Sequence, residues 1–287
     1  MTKVLTWNIQ CGKGVDDRVD LVRIAEVILD MADVDVICLQ EISRFNSELD
    51  GGKGEDQVKV LCELFPDHKP FFGIALDHRS HGMIPDWQFG NLILSRLPVI
   101  QVFYHSLPQP VPDKPCVYMP RQALEVILRL PNQFPFRVTT THLEFYSENQ
   151  RLAQALRLRD IQFEINANNN VKRVFPQTGP YALAPRPTTS ILCGDFNANP
   201  HDNVYQSLIS QNLDEQSIYV DAWIALNKNT PHAPTCGLFD HTQWPQGPHC
   251  RDFFFITDDL IETIDRIQVQ ETTSASDHQP VLLEFHQ

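Results

Sequence analysis

The sequence predicts an α/β fold in which two packed β-sheets are flanked by helices. Three observations carry this. A strand, a helix and a second strand open the chain, a series of short strands fills residues 69–130, and strand-like runs with helices between them recur in both halves. A chain of 287 residues can bury a large core as one domain, here expected to span residues 1–287. No fixed-period repeat is visible.

Composition narrows the class of function. With 42% hydrophobic and 21% charged residues the chain is neither disordered nor fibrous. A net charge of −13 repels polyanions, which argues against binding nucleic acid through a broad basic surface. Local contacts through metal ions in an acidic cleft stay open. The cysteines number seven, and several lie in apolar strand-like runs such as VICLQ and ILCGD, as reduced core thiols do. MTKVLTWNIQ lacks a secretory h-region, and no stretch reaches about 18 consecutive apolar residues. A cytoplasmic protein without stable membrane insertion is expected.

In order, Lys3 to Ile9 reads as a strand ending in Trp7-Asn8. Asp16 and Asp17 offer an N-cap, and Val19, Val22, Ile24, Val27, Ile28 and Met31 recur at helical spacing up to Asp33. Val34 to Leu39 is a buried strand closing on Gln40-Glu41. A crossover helix between two strands implies parallel pairing, which makes Asn8 and Glu41 neighbours at one edge. Ser43 to Gly54 is a polar loop and Asp56 to Phe65 a short amphipathic helix. GNLILSR, PVIQVFY and RQALEVILRL read as antiparallel strands, the last with Leu124, Val126, Leu128 and Leu130 alternating. The Pro-rich segment from Leu107 to Pro120 is a surface loop.

Phe136 to Thr141 is a strand ending in His142, Ser147 to Asn168 a long helix, and Asn169 to Thr188 an irregular loop. Ile191 to Pro200, ILCGDFNANP, carries a buried strand into a glycine and sets Asp195 and Asn197 two positions apart. Helical runs follow around Val204 to Ile209 and Tyr219 to Leu226, then a Pro-, His- and Gly-rich loop, Asn227 to Pro248. The strands Asp252 to Thr257, Ile264 to Gln270 and Pro280 to Phe285 complete the chain.

Six polar clusters stand at these strand ends: Trp7-Asn8, Gln40-Glu41, Thr141-His142, Asp195-Phe196-Asn197, Arg251-Asp252 and Ser276-Asp277-His278. Singly, each has a bland explanation, such as a turn residue or a satisfied core histidine. Jointly they put four carboxylates in one place, an arrangement that raises their pKa values unless a cation shares the site. Oxygen donors favour a hard ion, Mg²⁺ or Mn²⁺, and such an ion suits phosphate esters. Either Asp277 or Asp252 is positioned to orient His278. Cys236, His241, His249 and Cys250 lie close in sequence, but their spacing fits no structural zinc pattern, and an ordinary loop is expected there.

TWNIQ, LQEI, GNLILSR, THLE, GDFNANP and SDHQPV, in this order between Val4 and Leu283, resemble the endonuclease/exonuclease/phosphatase superfamily. The resemblance implies a four-layer α/β sandwich of two mixed sheets, DNase I-like, and a metal-dependent phosphoester hydrolase. It makes Glu41 the principal Mg²⁺ ligand with Asn8 and Asp277 beside the ion. It gives Asp195 the attacking water, Asn197 the alignment of water and phosphate, His278 the scissile phosphate and Asp252 the support of a histidine. His142 matches the histidine of the deoxyribonuclease and sphingomyelinase branches. Arg121, in PRQALEV, matches a frequent arginine of the family, and with Asn91 of GNLILSR it is assigned to substrate binding.

Arg251 departs from the apolar neighbour that usually precedes the aspartate at Asp252. The expected partner of this presumed monomer is a phosphoester, nucleic acid included. A phosphodiesterase or nuclease leads, and a sphingomyelinase-like or small-molecule phosphoesterase and a catalytically silent binding module are the alternatives. Phe103, Tyr104, Tyr118 and Trp244 are the aromatics expected on rim loops, where they would stack bases or touch lipid.

Overall fold

The computed structural model describes residues 1–49, 51–79, 82, 86–171, 178, 179, 182, 186–210 and 218–286, so much of the loop expected at 169–188 lies outside the described residues. In chain order the first strands are β1 (Thr2–Asn8), β2 (Val36–Arg44), β3 (Lys69–His78), β4 (Trp87–Ser95), β5 (Val99–Ser106) and β6 (Gln122–Arg129). They are followed by β7 (Pro135–His142), β8 (Ser190–Asp195), β9 (Val220–Asp221), β10 (Asp252–Ile256), β11 (Ile264–Val269) and β12 (Val281–Phe285). The helices are α1 (Leu21–Met31), α2 (Gln57–Leu64), α3 (Glu148–Asn169), α4 (Asn203–Ile209) and α5 (Ala222–Asn227).

Each sheet is built outward from one parallel pair. β1 and β2, joined through α1, run parallel with Val4 opposite Val36 and Asn8 opposite Gln40. β7 and β8, joined through α3, run parallel with His142 opposite Asp195. Antiparallel neighbours complete two mixed six-stranded sheets, β11-β12-β1-β2-β4-β3 and β5-β6-β7-β8-β10-β9. Because parallel strands run the same way, one pair brings Asn8 beside Gln40-Glu41 and the other brings His142 beside Asp195.

Strand alternation sorts the apolar residues into layers. Val4, Val36, Cys38 and Ile93 of the first sheet face Leu124, Val126, Val138, Ile191 and Cys193 of the second in one shared core. The opposite face of the first sheet, Leu5, Trp7, Leu39 and Leu92, packs on Ile24 and Ile28 of α1 and Leu61 of α2. The outer face of the second sheet, Leu192, Phe253 and Phe255, packs on Ala155 and Leu158 of α3 and Leu208 of α4. Among the described residues no helix is long and apolar enough to cross a membrane.

The expected α/β sandwich is thus present, with local corrections. α1 is capped by Asp20, whose carboxylate accepts from the amides of Val22 and Arg23. Asp16 instead bonds Arg18 and Arg23 in the preceding turn. β4 and β5, consecutive in sequence, belong to different sheets. Phe103 and Tyr104 lie on the edge strand β5 and not on a rim loop.

β6 alternates as expected, but the face opposite its leucines is not solvated. Glu125 on that face is fully buried, and it accepts hydrogen bonds from Arg137 (3.1 Å) and Arg186 (2.9 and 3.0 Å) with His105 Nε2 at 3.3 Å. Arg137 also bonds Gln162 of α3.

Burial pushes the Glu125 carboxyl up, yet these cations and hydrogen bonds hold it at about 2. A depressed carboxyl contributes stability that is present above its unfolded pKa and lost as pH falls through the folded one. Roughly 3 kcal/mol at pH 7 should therefore disappear between about pH 4.5 and pH 2. Urea unfolding of Glu125→Gln is expected to show that deficit at pH 7 and to converge on wild type towards pH 2. A gap independent of pH would contradict the assignment.

Candidate active site

Three short backbone devices bring the polar clusters together. Gly194, one residue before the end of β8, has φ +136°, and a Cβ there would stand 2.0 Å from the Thr141 carbonyl oxygen, so only glycine lets β8 approach β7 this closely. After β8 the chain turns through Asn197 at φ +49°, and the Asn197 amide donates to Asp195 Oδ1 at 2.8 Å. That turn, not a continued strand, sets Asn197 beside Asp195, and it leaves Asp195 Oδ2 facing inward.

β2 does not end at Glu41 as the sequence led us to expect. It runs on to Arg44 through a bulge in which Gln40 and Glu41 together oppose Asn91 of β4. Glu41 sits in the left-handed region at φ +59°. Such a conformation costs a glutamate on the order of 1–3 kcal/mol and is retained where a side chain must be re-aimed. Gln40, its neighbour, points between the sheets and donates to Thr6 Oγ1 (3.0 Å) and Thr140 Oγ1 (2.8 Å).

The loop carrying Asp277 and His278 is tied to the end of β1. Trp7 Nε1 donates to the His278 carbonyl at 2.8 Å, and Ser276 Oγ donates to the Asn8 carbonyl at 2.8 Å. The resulting cleft has a volume of about 190 Å³. Its floor is Asn8, Glu41, His142, Asp195, Asn197, Asp277 and His278, so seven of the ten residues singled out in the sequence meet there.

Of the other three, Arg121 lines the same cleft. Asn91 lines a small recess behind it with Arg121 and His142 and donates to the Gln122 carbonyl at 3.2 Å. Asp252 stands behind His278, its Oδ2 2.8 Å from His278 Nδ1 and accepting from Thr235 Oγ1 at 2.6 Å. Asp277, the other candidate for orienting His278, lies 4.0 Å from Nε2.

Hydrogen bonds fix the remaining groups. Asn8 Nδ2 donates to Glu41 Oε1 (3.1 Å) and Asp195 Oδ2 (3.0 Å), while Asn8 Oδ1 accepts from the Gln10 amide. Asn197 Nδ2 donates to the Leu143 carbonyl and meets His142 Nε2, each at 3.0 Å. Among the described residues of the cleft, two buried nitrogens have no hydrogen-bond partner, Arg121 Nη1 and His142 Nδ1. Such orphans are rare and call for a ligand oxygen.

The charges are unevenly shared. Burial, then the nearby Asp277 carboxylate, pushes Glu41 up to about 7, and burial also raises Asp277. Burial raises Asp252 to about 6. Burial opposes a charged His278, but Asp252, Asp195 and Asp277 outweigh it and keep the ring protonated well above the usual imidazole range. Burial likewise opposes a charged Asp195, yet His278 and the hydrogen bonds from Asn8 and Asn197 hold it below the ordinary carboxylate range. His142 is the contrasting imidazole, since burial and the Arg121 charge bring it down to about 3 and leave it neutral.

Several residues in or behind the cleft wall were not singled out in the sequence. Glu144, inside the quoted THLE, is fully buried and lies 3.4 Å from Arg121 Nε. Phe89, Met119, Phe145 and Tyr146 form an apolar rim. Their only signal was adjacency to the motifs. Trp244, expected on a rim loop, is 2% exposed and donates to Asp277 Oδ2 at 3.2 Å. Cys236 Sγ lies 3.2 Å from His249 Nε2, a contact between neighbouring loop strands.

Among the described residues, the one group of three metal-compatible side chains within mutual reach is Asp195, Asp252 and His278. The His278–Asp252 hydrogen bond already occupies one side of that imidazole, so the group reads as a histidine held by carboxylates. Glu41 and Asp277, whose raised carboxyls repel one another, offer the better oxygen pair for a cation.

The sequence profile of the Endonuclease/Exonuclease/phosphatase family matches residues 5–278. An endonuclease/exonuclease/phosphatase from Beutenbergia cavernae DSM 12333 superimposes with a TM-score of 0.68 at 24% identity, covering 98% of this chain and 70% of that one. The mannosyl-6-phosphatase of Bacteroides thetaiotaomicron VPI-5482 gives 0.66 at 17% identity over 100% of both chains. The human Nocturnin catalytic domain with bound sulfate gives 0.62 at 18% identity, covering 99% of this chain and 93% of that one. No curated protein matches in sequence comparison. The structural likenesses are to the fold of two sheets and surrounding helices.

Proposed function

Because the chain belongs to the endonuclease/exonuclease/phosphatase family, we propose that its cleft is that of a divalent-metal-dependent phosphoesterase that hydrolyses a phosphodiester by in-line attack of water. The observation that carries this reading is the pairing of crowded carboxylates with two buried, unspent hydrogen-bond donors in one small cleft. The carboxylates call for a cation, and Arg121 Nη1 and His142 Nδ1 call for anionic oxygens.

The donor chemistry fits a hard ion. Glu41 and Asp277 would hold Mg²⁺ or Mn²⁺ through carboxylate oxygens, with Asn8 beside them holding Glu41 in place. When bound, the ion would neutralise phosphoryl oxygens and the charge developing on the leaving group. The remaining roles belong to side chains. Asp195, ionised and held by Asn8 and Asn197, orients the attacking water and receives its proton as the bond to phosphorus forms. His278, cationic and fixed by Asp252, directs Nε2–H at a phosphoryl oxygen. Arg121 and His142 donate to the remaining oxygens.

Calorimetric titration with Mg²⁺ tests the metal step without any need to know the substrate. Glu41→Gln is expected to bind the ion at least about tenfold more weakly than wild type. Equal affinities, or no binding by wild type, would remove the metal from the proposal.

A second reading, a small-molecule phosphoesterase, is favoured by the net charge of −13, which repels polyanions. Salt separates the two, since KM for a nucleic-acid substrate rises steeply with ionic strength and KM for a small neutral-headed ester does not.

A further inference from the structure

Arg251, the residue that departs from the family pattern, lies just before β10 and reaches the cleft floor through Asn197. We infer that Arg251 is a positioning residue that fixes the tautomer of His142, so that Nε2 accepts from Asn197 at the cleft floor and the ring proton stays on Nδ1.

The chain of contacts leaves little freedom. Arg251 Nη1 lies 3.2 Å from Asn197 Oδ1 and 3.2 Å from the Asn197 carbonyl oxygen. A guanidinium has only donors, so the carboxamide atom that meets it must be oxygen. Flipping Asn197 would press its NH₂ on the cation and its oxygen on the Leu143 carbonyl. The amide nitrogen therefore faces Leu143 and His142 Nε2. An NH₂ can only donate, which makes Nε2 the acceptor and puts the imidazole proton on Nδ1. Asp195 Oδ2, 3.4 Å from the same Nε2, pulls towards the opposite tautomer. The Asn197 contact prevails because it is shorter and is a hydrogen bond. Nδ1 is left buried and unpartnered, with Glu41 Oε1 beyond bonding reach at 3.8 Å.

Arg251 is itself held from behind. Its guanidinium lies over the Trp244 ring at 4.7 Å and near Phe145 at 5.6 Å. Its Nε donates to His249 Nε2 at 2.9 Å, and His249 Nδ1 donates to the Gly247 carbonyl at 2.8 Å. Since a carbonyl can only accept, each contact has a fixed sense: Arg251 donates on one side to His249, which donates to the Gly247 carbonyl, and on the other to Asn197, which donates to His142.

Long-range ¹H–¹⁵N correlation spectra of the ¹⁵N-labelled protein read the tautomer directly, whether or not any substrate is turned over. Wild type is expected to show His142 with a protonated Nδ1 and an unprotonated Nε2. Arg251→Met, which keeps the stem on Trp244, is expected to show averaged ring-nitrogen shifts, with Arg251→Lys in between. The kinetic arm alone rests on the hydrolytic reading above: kcat on bis-p-nitrophenyl phosphate should fall about tenfold in Arg251→Met with KM within twofold. A wild-type His142 protonated at Nε2 overturns the inference, and the spectrum of wild type alone decides this if the variants fail to fold. A methionine variant with the wild-type signature and kcat overturns it equally.

Discussion

Replacing Asp195 with asparagine is expected to lower Mg²⁺-dependent hydrolysis of bis-p-nitrophenyl phosphate by roughly 10³-fold, within the 10²–10⁴ that one positioned general base contributes. The substitution conserves volume at a side chain that is 1% exposed, so the sheet edge should hold. What changes is the charge, together with one acceptor. Asp195 takes hydrogen bonds from the Asn197 amide and Asn8 Nδ2, and one of these would face an NH₂ in the variant. A folding cost of about 1–3 kcal/mol follows. Far-ultraviolet circular dichroism at the assay temperature separates that cost from lost chemistry. A folded variant that turns over within twofold of wild type would remove Asp195 from the water-activating role.

His278→Gln should lose on the order of 10²–10³ in kcat through a different route, by removing a cationic donor from the phosphoryl oxygen. The ring is 2% exposed and fixed by Asp252 at 2.8 Å, with Asp195 Oδ2 at 3.7 Å from Nε2. Glutamine keeps a donor near the cleft but no charge. Asp252, raised to about 6 even beside the imidazolium, would lose the group that draws it down. A carboxyl whose folded pKa is raised destabilises the fold once pH exceeds its unfolded value, so at pH 6, where the histidine is still charged in both folded and unfolded wild type, the variant should melt below wild type. Unchanged kcat, measured in the same preparations, would show that His278 does not touch the reacting phosphate.

Much of this site was legible because it obeys local rules. Asn8, His142 and Asp195 each close a strand-like run, and each is the last residue of its strand. Glu41 was found for an incomplete reason. Its aim depends on a bulge set by pairing with β4, a strand some fifty residues away, and no local pattern announces which residue will be doubled.

The capping of α1 by Asp20 was hidden for a similar reason, because three aspartates compete and the bridge between Lys13 and Val19 sets where the turn closes. Trp244 lies in a loop without periodicity, and only the folded contact with Asp277 distinguishes a closing residue from a rim aromatic. Arg251 looked like a blemish in a motif. Its side chain leaves the strand register and meets Asn197, a contact that a linear motif cannot express.

β12 lies between β11 and β1, and the residues just before it, Asp277 and His278, complete a floor whose other members come from β1, β2, β7 and β8. The cleft therefore cannot be assembled by the earlier residues alone: its floor closes only once 277–285 have threaded in beside β1, so the two distant stretches of chain must meet before the site exists.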